Sequence, residues 1–258
     1  MLIHVLEATT SAVPSSTDKS QLVDVSLFDH AKTTAGIATC MYEYLKEQEI
    51  SNYRQELFDK RASQRYYAQN MFLLYSCDMS GIQDFIYNIS GDGALKQLRA
   101  RSLYLELLLE HIVDELLDRL LLSRANLLYT ESGHTYMLLP NTRSAKRTID
   151  EFEKELRAWF IGRYRTDLFL ASAWVEYSAD DLANRGNDGK RYRELYRSLS
   201  QRLSDAKAAR YSAETISKLN FEKLGEGDHN REYQECHRSD VRINKSGTCE
   251  LCSALMDV

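Results

Sequence analysis

One rhythm in the middle of the chain constrains its fold more than any other feature. Four short apolar runs alternate with helical patterns in the order strand–helix–strand–strand–helix–strand. Met71–Cys77 (MFLLYSC) has the length of a buried strand. A glycine-containing turn and a helix follow, then a long helical pattern from about Leu95 to Leu122. Its apolar residues are dense enough to predict cover on more than one side. Asn126–Thr130 reads as a second strand, Glu131-Ser132-Gly133 as a tight turn and His134–Leu139 as a third strand, because a short glycine-containing connection between apolar runs signals a hairpin. Pro140-Asn141-Thr142 stops that strand, and Thr142 suits the cap of a helix over Ala145–Gly162. Asp167–Tyr177 supplies the fourth strand. The order predicts an α+β, ferredoxin-like (βαββαβ) domain, an antiparallel sheet with helices on one face.

The flanks read differently. Residues 1–29 are rich in turn formers, with a short apolar run at Val23–Phe28. From Asp29 a helix is expected, with Ile37, Cys40, Met41, Tyr44 and Leu45 on one face. The polar interval 48–69 reads as a linker or an exposed helix. These shifts divide the chain at 1–50, 51–70, 71–180 and 181–258. Hydrophobic residues make up 43% and charged residues 28%, an ordinary globular balance. No stretch approaches the roughly 20 apolar residues that cross a bilayer, and the start lacks the layout of a signal peptide. No membrane partner and a cytoplasmic location are therefore expected.

The net charge of −5 excludes a surface built throughout for nucleic acid. Its distribution is uneven, however. Between Lys190 and Arg210 stand seven basic residues, namely Lys190, Arg191, Arg193, Arg197, Arg202, Lys207 and Arg210, against Glu194 and Asp205. Such a run is either a solvated helix face or a surface toward phosphate or a partner. Cysteine usage is uneven too. Cys40 and Cys77 lie in apolar surroundings and read as small buried hydrophobes. Cys236, Cys249 and Cys252 cluster, and Cys249-Glu-Leu-Cys252 reads as half of a structural zinc site or as a metal-free remnant of one. Twelve residues separate Cys236 from Cys249, the layout of a ribbon or knuckle. The fourth ligand is open between His237, His229 and Asp240.

Fold alone does not choose a function, since RNA-recognition domains, small-ligand domains and the palms of polymerases and nucleotide cyclases share this order. In palms, metal-assisted phosphoryl transfer needs carboxylates where the first strand ends and the hairpin begins. Asp78 and Glu131 hold those two positions. Ser80-Gly81 opens the next helix, whose free N–H groups suit a phosphate. Asp78 or Ser80 equally suits a cap on that helix, and Glu131 an exposed turn. An RNA-recognition surface needs aromatic residues on the central strands, where HTYML offers only Tyr136.

Longer segments carry a family likeness. SCDMSGIQDFIYNIS (Ser76–Ser90) resembles the first-palm signature of the large subunit of type III-A CRISPR effector complexes. LKQLRARSLYLELLLEHIVDELL (Leu95–Leu117) resembles the long helix after it, and ESGHTYMLLPNT (Glu131–Thr142) the family's Gly-Gly-His-type hairpin. DVSLFDHAKTTAGIA (Asp24–Ala38) resembles the end of the family's HD nuclease domain, and CHRSD with CELC its zinc insertion. The resemblance implies an HD remnant over 1–50 with Asp29-His30 at its metal motif, a linker, a first palm of the GGDEF-cyclase type over 71–180, and a helical segment with a zinc element over 181–258. It implies Asp78, Ser80 and Gly81 at the nucleotide edge, which the hairpin position of Glu131 extends, and Cys236, Cys249 and Cys252 as zinc ligands, with His237 taken as the fourth. It also implies ATP with Mg²⁺ or Mn²⁺ and structural zinc as cofactors. The implied partners are other effector subunits, CRISPR RNA, target RNA and single-stranded DNA. In that family two palms bind ATP and make cyclic oligoadenylates, while the HD domain cuts single-stranded DNA.

Departures accompany the likeness. No His-Asp dyad precedes Asp29, no Gly-Gly-Asp-Asp occurs, Tyr233 stands where a second Cys-x-x-Cys needs its first cysteine, and Glu131-Ser132-Gly133 replaces a glycine-rich turn. The expectation is a subunit fragment that is inactive alone. Its rivals are a free-standing palm cyclase or polymerase and a ferredoxin-like RNA-binding module.

Overall fold

The computed structural model describes residues 2–18, 24–89, 94–185, 189–221 and 249–256. Ahead of the sheet stand α1 (Leu2–Thr10), α2 (Leu27–Glu47), α3 (Tyr53–Phe58) and α4 (Lys60–Tyr67). Then come β1 (Phe72–Ser80), α5 (Ile82–Tyr87), α6 (Ala94–Arg119), a 3-10 turn at Arg124–Asn126, β2 (Leu127–Glu131) and β3 (His134–Pro140). They are followed by α7 (Arg143–Tyr164), β4 (Phe169–Tyr177), α8 (Ala179–Leu182), α9 (Arg191–Ala208), α10 (Ala213–Phe221) and α11 (Glu250–Met256). The strands form one antiparallel sheet in the order β2-β3-β1-β4, and over 71–177 the element order is the one the apolar runs predict.

Local chemistry explains the boundaries. The hairpin turn uses Ser132 and Gly133, both at positive φ (54° and 86°), the two-residue geometry whose twist matches antiparallel strands. Thr142 caps α7 by accepting the Ala145 N–H at 3.0 Å, as its position predicts. Ser26 starts α2 the same way, accepting the Asp29 N–H at 3.0 Å.

Helices cover both faces of the sheet, not one. On β1, Leu73, Tyr75, Cys77 and Met79 point into a core shared with α6 and α7. Phe72 and Leu74, of opposite parity, join a second core with Cys40 and Leu45 of α2, Tyr66 of α4, and Leu195, Leu199 and Leu203 of α9. The reason lies in β1 itself: its first half is apolar at both parities, so either face left bare would expose large side chains. Each of the three α9 leucines contributes about 1.5–3 kcal/mol on burial, enough to hold an otherwise polar helix in place. The interval 51–70, read as a linker or an exposed helix, holds α3 and α4. Tyr66 is its anchor, buried in the second core with its hydroxyl donating to Glu56 at 2.9 Å.

Two close contacts fix α2 to the sheet. A Cβ on Gly36 would lie 2.7 Å from the Ala125 carbonyl oxygen, so only glycine permits this approach. Buried Asn126 donates to the carbonyls of Leu138 (2.9 Å) and Gly36 (3.3 Å). Cover of α6 is narrower than its leucine density predicts. Gln97, Arg101, Leu105 and Leu109 face inward at four-residue spacing, whereas Leu95, Leu103 and Leu107 are exposed. Among the described residues, no helix is long and apolar enough to cross a membrane.

Candidate functional site

The site arises where the second face of the sheet changes character. Successive β1 residues on that face are Phe72, Leu74, Ser76, Asp78 and Ser80, an apolar start and a polar end. Strand pairing sets Asp78 directly opposite His134 at the start of β3. Lys207, near the C-terminal end of α9, reaches the same carboxylate: its Nζ donates to Asp78 Oδ2 at 2.6 Å. His134 Nδ1 lies 3.1 Å from that same oxygen. Partial burial pushes the Asp78 carboxyl upward, but the hydrogen bonds from His134 and Lys207 outweigh it and leave the group below its ordinary range. Asp78 is thus an ionised carboxylate held by two donors.

Connectivity from Asp78 through His134 to Ser76, whose Oγ is 3.3 Å from His134 Nε2, has the order of a hydrolase triad. It cannot work as one. Ser76 is fully buried and donates its hydroxyl proton to the Thr135 carbonyl at 2.7 Å, so no nucleophile faces a substrate. The arrangement orients the imidazole instead. An open, tyrosine-lined groove adjoins it, bounded by Tyr129, Glu131, Tyr136, Tyr192 and Tyr196. Burial, and next the Asp78 charge, raise the Tyr136 hydroxyl.

The residues singled out in the sequence meet different fates. Glu131 also pairs with His134, from the opposite side, so His134 stands between it and Asp78. Two strand spacings, roughly 9.5 Å, separate the two acidic positions, and the Tyr129 hydroxyl donates to Glu131 at 3.0 Å. They do not converge as a pair of ions about 4 Å apart requires. Neither Asp78 nor Ser80 caps α5; Gly81 holds that position with no side-chain cap. Gly81 has φ 92°, and a Cβ there would lie 1.9 Å from the Asp167 carbonyl oxygen. Ser80 is partly buried opposite Phe169 of β4.

Asp29 and His30 are exposed at the start of α2, where Asp29 accepts from the Ser26 hydroxyl at 2.7 Å. Among the described residues, no group of three or more His, Cys, Asp or Glu side chains is placed to hold a metal. Cys40 and Cys77 are buried as expected, and burial pushes the Cys77 thiol up to about 12. Cys249 and Cys252 are buried together, and the Cys252 N–H points at Cys249 Sγ (3.3 Å). Two sulfurs turned inward by one short turn, one of them receiving a backbone N–H, fit half of a tetrahedral thiolate site. Cys236 and His237, with His229 and Asp240, lie outside the described residues.

His134 and Lys207 are the two site residues that the sequence does not single out as members of a site. The His134 signal was its place at the first residue after the hairpin, across from Asp78. For Lys207 it was the basic run, which is no uniform face. Arg191 pairs with Asp181 at 3.3 Å, Arg202 donates to the Trp174 carbonyl at 3.1 Å, and Lys207 turns inward.

Residues 71–222 match the family model described as Csm1 subunit domain B. Two curated relatives are both named CRISPR system single-strand-specific deoxyribonuclease Cas10/Csm1 (subtype III-A). The protein from Enterococcus italicus is 46% identical over 258 residues, covering 100% of this chain and 33% of its own length. The one from Mycobacterium tuberculosis is 47% identical over 264 residues, covering 98% and 32%. The chain therefore spans about a third of the length of these relatives. A solved Csm1-Csm4 cassette in complex with one ATP superposes with a TM-score of 0.68 at 31% identity, covering 86% of this chain and 28% of that one.

Proposed function

The chain belongs to the Csm1 family of type III-A CRISPR systems, and from that premise we propose that it forms the ATP-holding first palm of an effector subunit, binding nucleotide without completing the chemistry. The sheet, with its βαββαβ order, is read as a ferredoxin-like palm of the cyclase kind. The observation that carries the proposal is the single carboxylate of Asp78. It is kept ionised by Lys207 and His134 at the polar end of β1.

In this reading Lys207 exchanges its carboxylate partner for triphosphate oxygens, a charge-assisted contact of the stronger kind. Asp78, with Ser80 and Gly81 beside it, then offers a hard oxygen to the Mg²⁺ or Mn²⁺ that accompanies ATP, and the ion supplies charge neutralisation there. His134, fixed by Ser76, keeps the Asp78 carboxylate oriented through the exchange. Glu131, two strands away, contributes to the rim and not to the ion.

Synthesis of cyclic oligoadenylates from ATP would need further carboxylates brought by a second palm, because in-line displacement uses ions clamped by several oxygens. Cleavage of single-stranded DNA would likewise need more of the HD domain than Asp29 and His30. Cys236, Cys249 and Cys252, with His237 as fourth ligand, would hold structural zinc. The partners proposed are a Csm4-type subunit, the other effector subunits, CRISPR RNA and target RNA.

Calorimetric titration of Mg–ATP into the parent and Lys207→Met tests the nucleotide site. A charged hydrogen bond is worth about 1.5–3 kcal/mol, so the variant is expected to bind roughly 10–100-fold more weakly. Equal affinity in a folded variant would place the phosphate elsewhere.

A further inference from the structure

Arg101, on the inward face of α6, is 4% exposed. Its guanidinium donates to the Phe85 carbonyl at 2.6 Å and to Cys252 Sγ at 3.3 Å, and lies 5.3 Å over the Phe85 ring. The carbonyl satisfies a hydrogen bond but brings no charge, and a buried guanidinium needs a negative partner. A deprotonated Cys252 sulfur is such a partner, and a bound dication would keep that thiol deprotonated.

We infer that Arg101 is the positioning residue of the thiolate centre at Cys249 and Cys252, supplying its buried counter-charge and clamping it to the C-terminal end of α5. The inference rests on the zinc reading above and adds a link between the zinc element and the palm. Packing supports the link: α11 lies against α6, and Leu251 between the two cysteines reaches the core under α6 and α7. Its consequence falls on α5, the helix that begins at Gly81 directly after the polar end of β1. A filled centre braces that helix from its far end.

Zinc content by elemental analysis, and zinc release to a chromophoric chelator, test this in the protein and in Arg101→Met, with circular dichroism to confirm folding. The parent is expected to carry about one zinc per chain. Loss of a residue that supports metal ligands costs about 10–100-fold in affinity, and release from Arg101→Met should quicken by a similar factor. Arg101→Lys should fall between, since it keeps the charge but loses the planar fork, and it decides the matter if Arg101→Met does not fold. Amide exchange over residues 82–88 should rise in the parent on chelation and be raised already in Arg101→Met. Wild-type release rates in a folded variant would overturn the inference while leaving the zinc reading intact. A folded parent without zinc would overturn both.

Discussion

At Asp78 the charge balance has a consequence in pH. The folded state holds this carboxyl below its ordinary value of 3.8, so its contribution to stability is fully present above the unfolded value and is lost as pH falls through the folded one. Denaturation followed from about pH 5 to about pH 3 should therefore show a shallower acid decline for Asp78→Asn than for the parent. The variant should be the less stable of the two at neutral pH, because Lys207 and His134 lose their acceptor, and the gap between the curves should narrow as pH falls. Parallel curves would mean that the three groups do not interact in solution. The sequence announced Asp78 by its place at the end of an apolar run. It could not announce Lys207, because a lysine 129 positions away is selected by how α9 crosses the sheet. Nor could it show that Asp78 and Glu131 fall on either side of His134, since that depends on strand register.

Among the elements, α2 gives the sharpest test of packing. Gly→Ala inside a helix ordinarily gains up to about 1 kcal/mol. At Gly36 the sign should reverse, because the added carbon meets the backbone carbonyl of Ala125 at 2.7 Å and cannot be accommodated by a side-chain rotation. A loss of about 1–3 kcal/mol is expected for Gly36→Ala in urea denaturation, and a gain would mean that α2 does not lie against the turn before β2. The strands and the helices between them were legible because period-two and helical apolar patterns differ clearly over 71–177. Periodicity also revealed that α2 and α9 each own an apolar face. What it withheld was the object each face meets. Both meet the sheet's second face, where the apolar first half of β1 is joined by Leu138 of β3 and by Phe169, Ala171, Val175 and Tyr177 of β4.

For the whole molecule, α2 and α4 from before the sheet and α9 from after it share one core with β1, β3 and β4. That arrangement brings Lys207 to the end of β1 and leaves one ionised carboxylate there. On the proposed reading it attracts and orients a triphosphate, while among the described residues no second carboxylate converges with it as in-line transfer requires. The central claim is binding without turnover. Equilibrium dialysis of radiolabelled ATP with Mn²⁺ against this polypeptide, followed by chromatography of the recovered nucleotide, tests both halves together. The account predicts label retained by the parent, little retained by Lys207→Met, and ATP recovered unchanged. Cyclic or linear oligoadenylates formed by a preparation free of contaminating enzyme, or retention indifferent to Lys207, would contradict it.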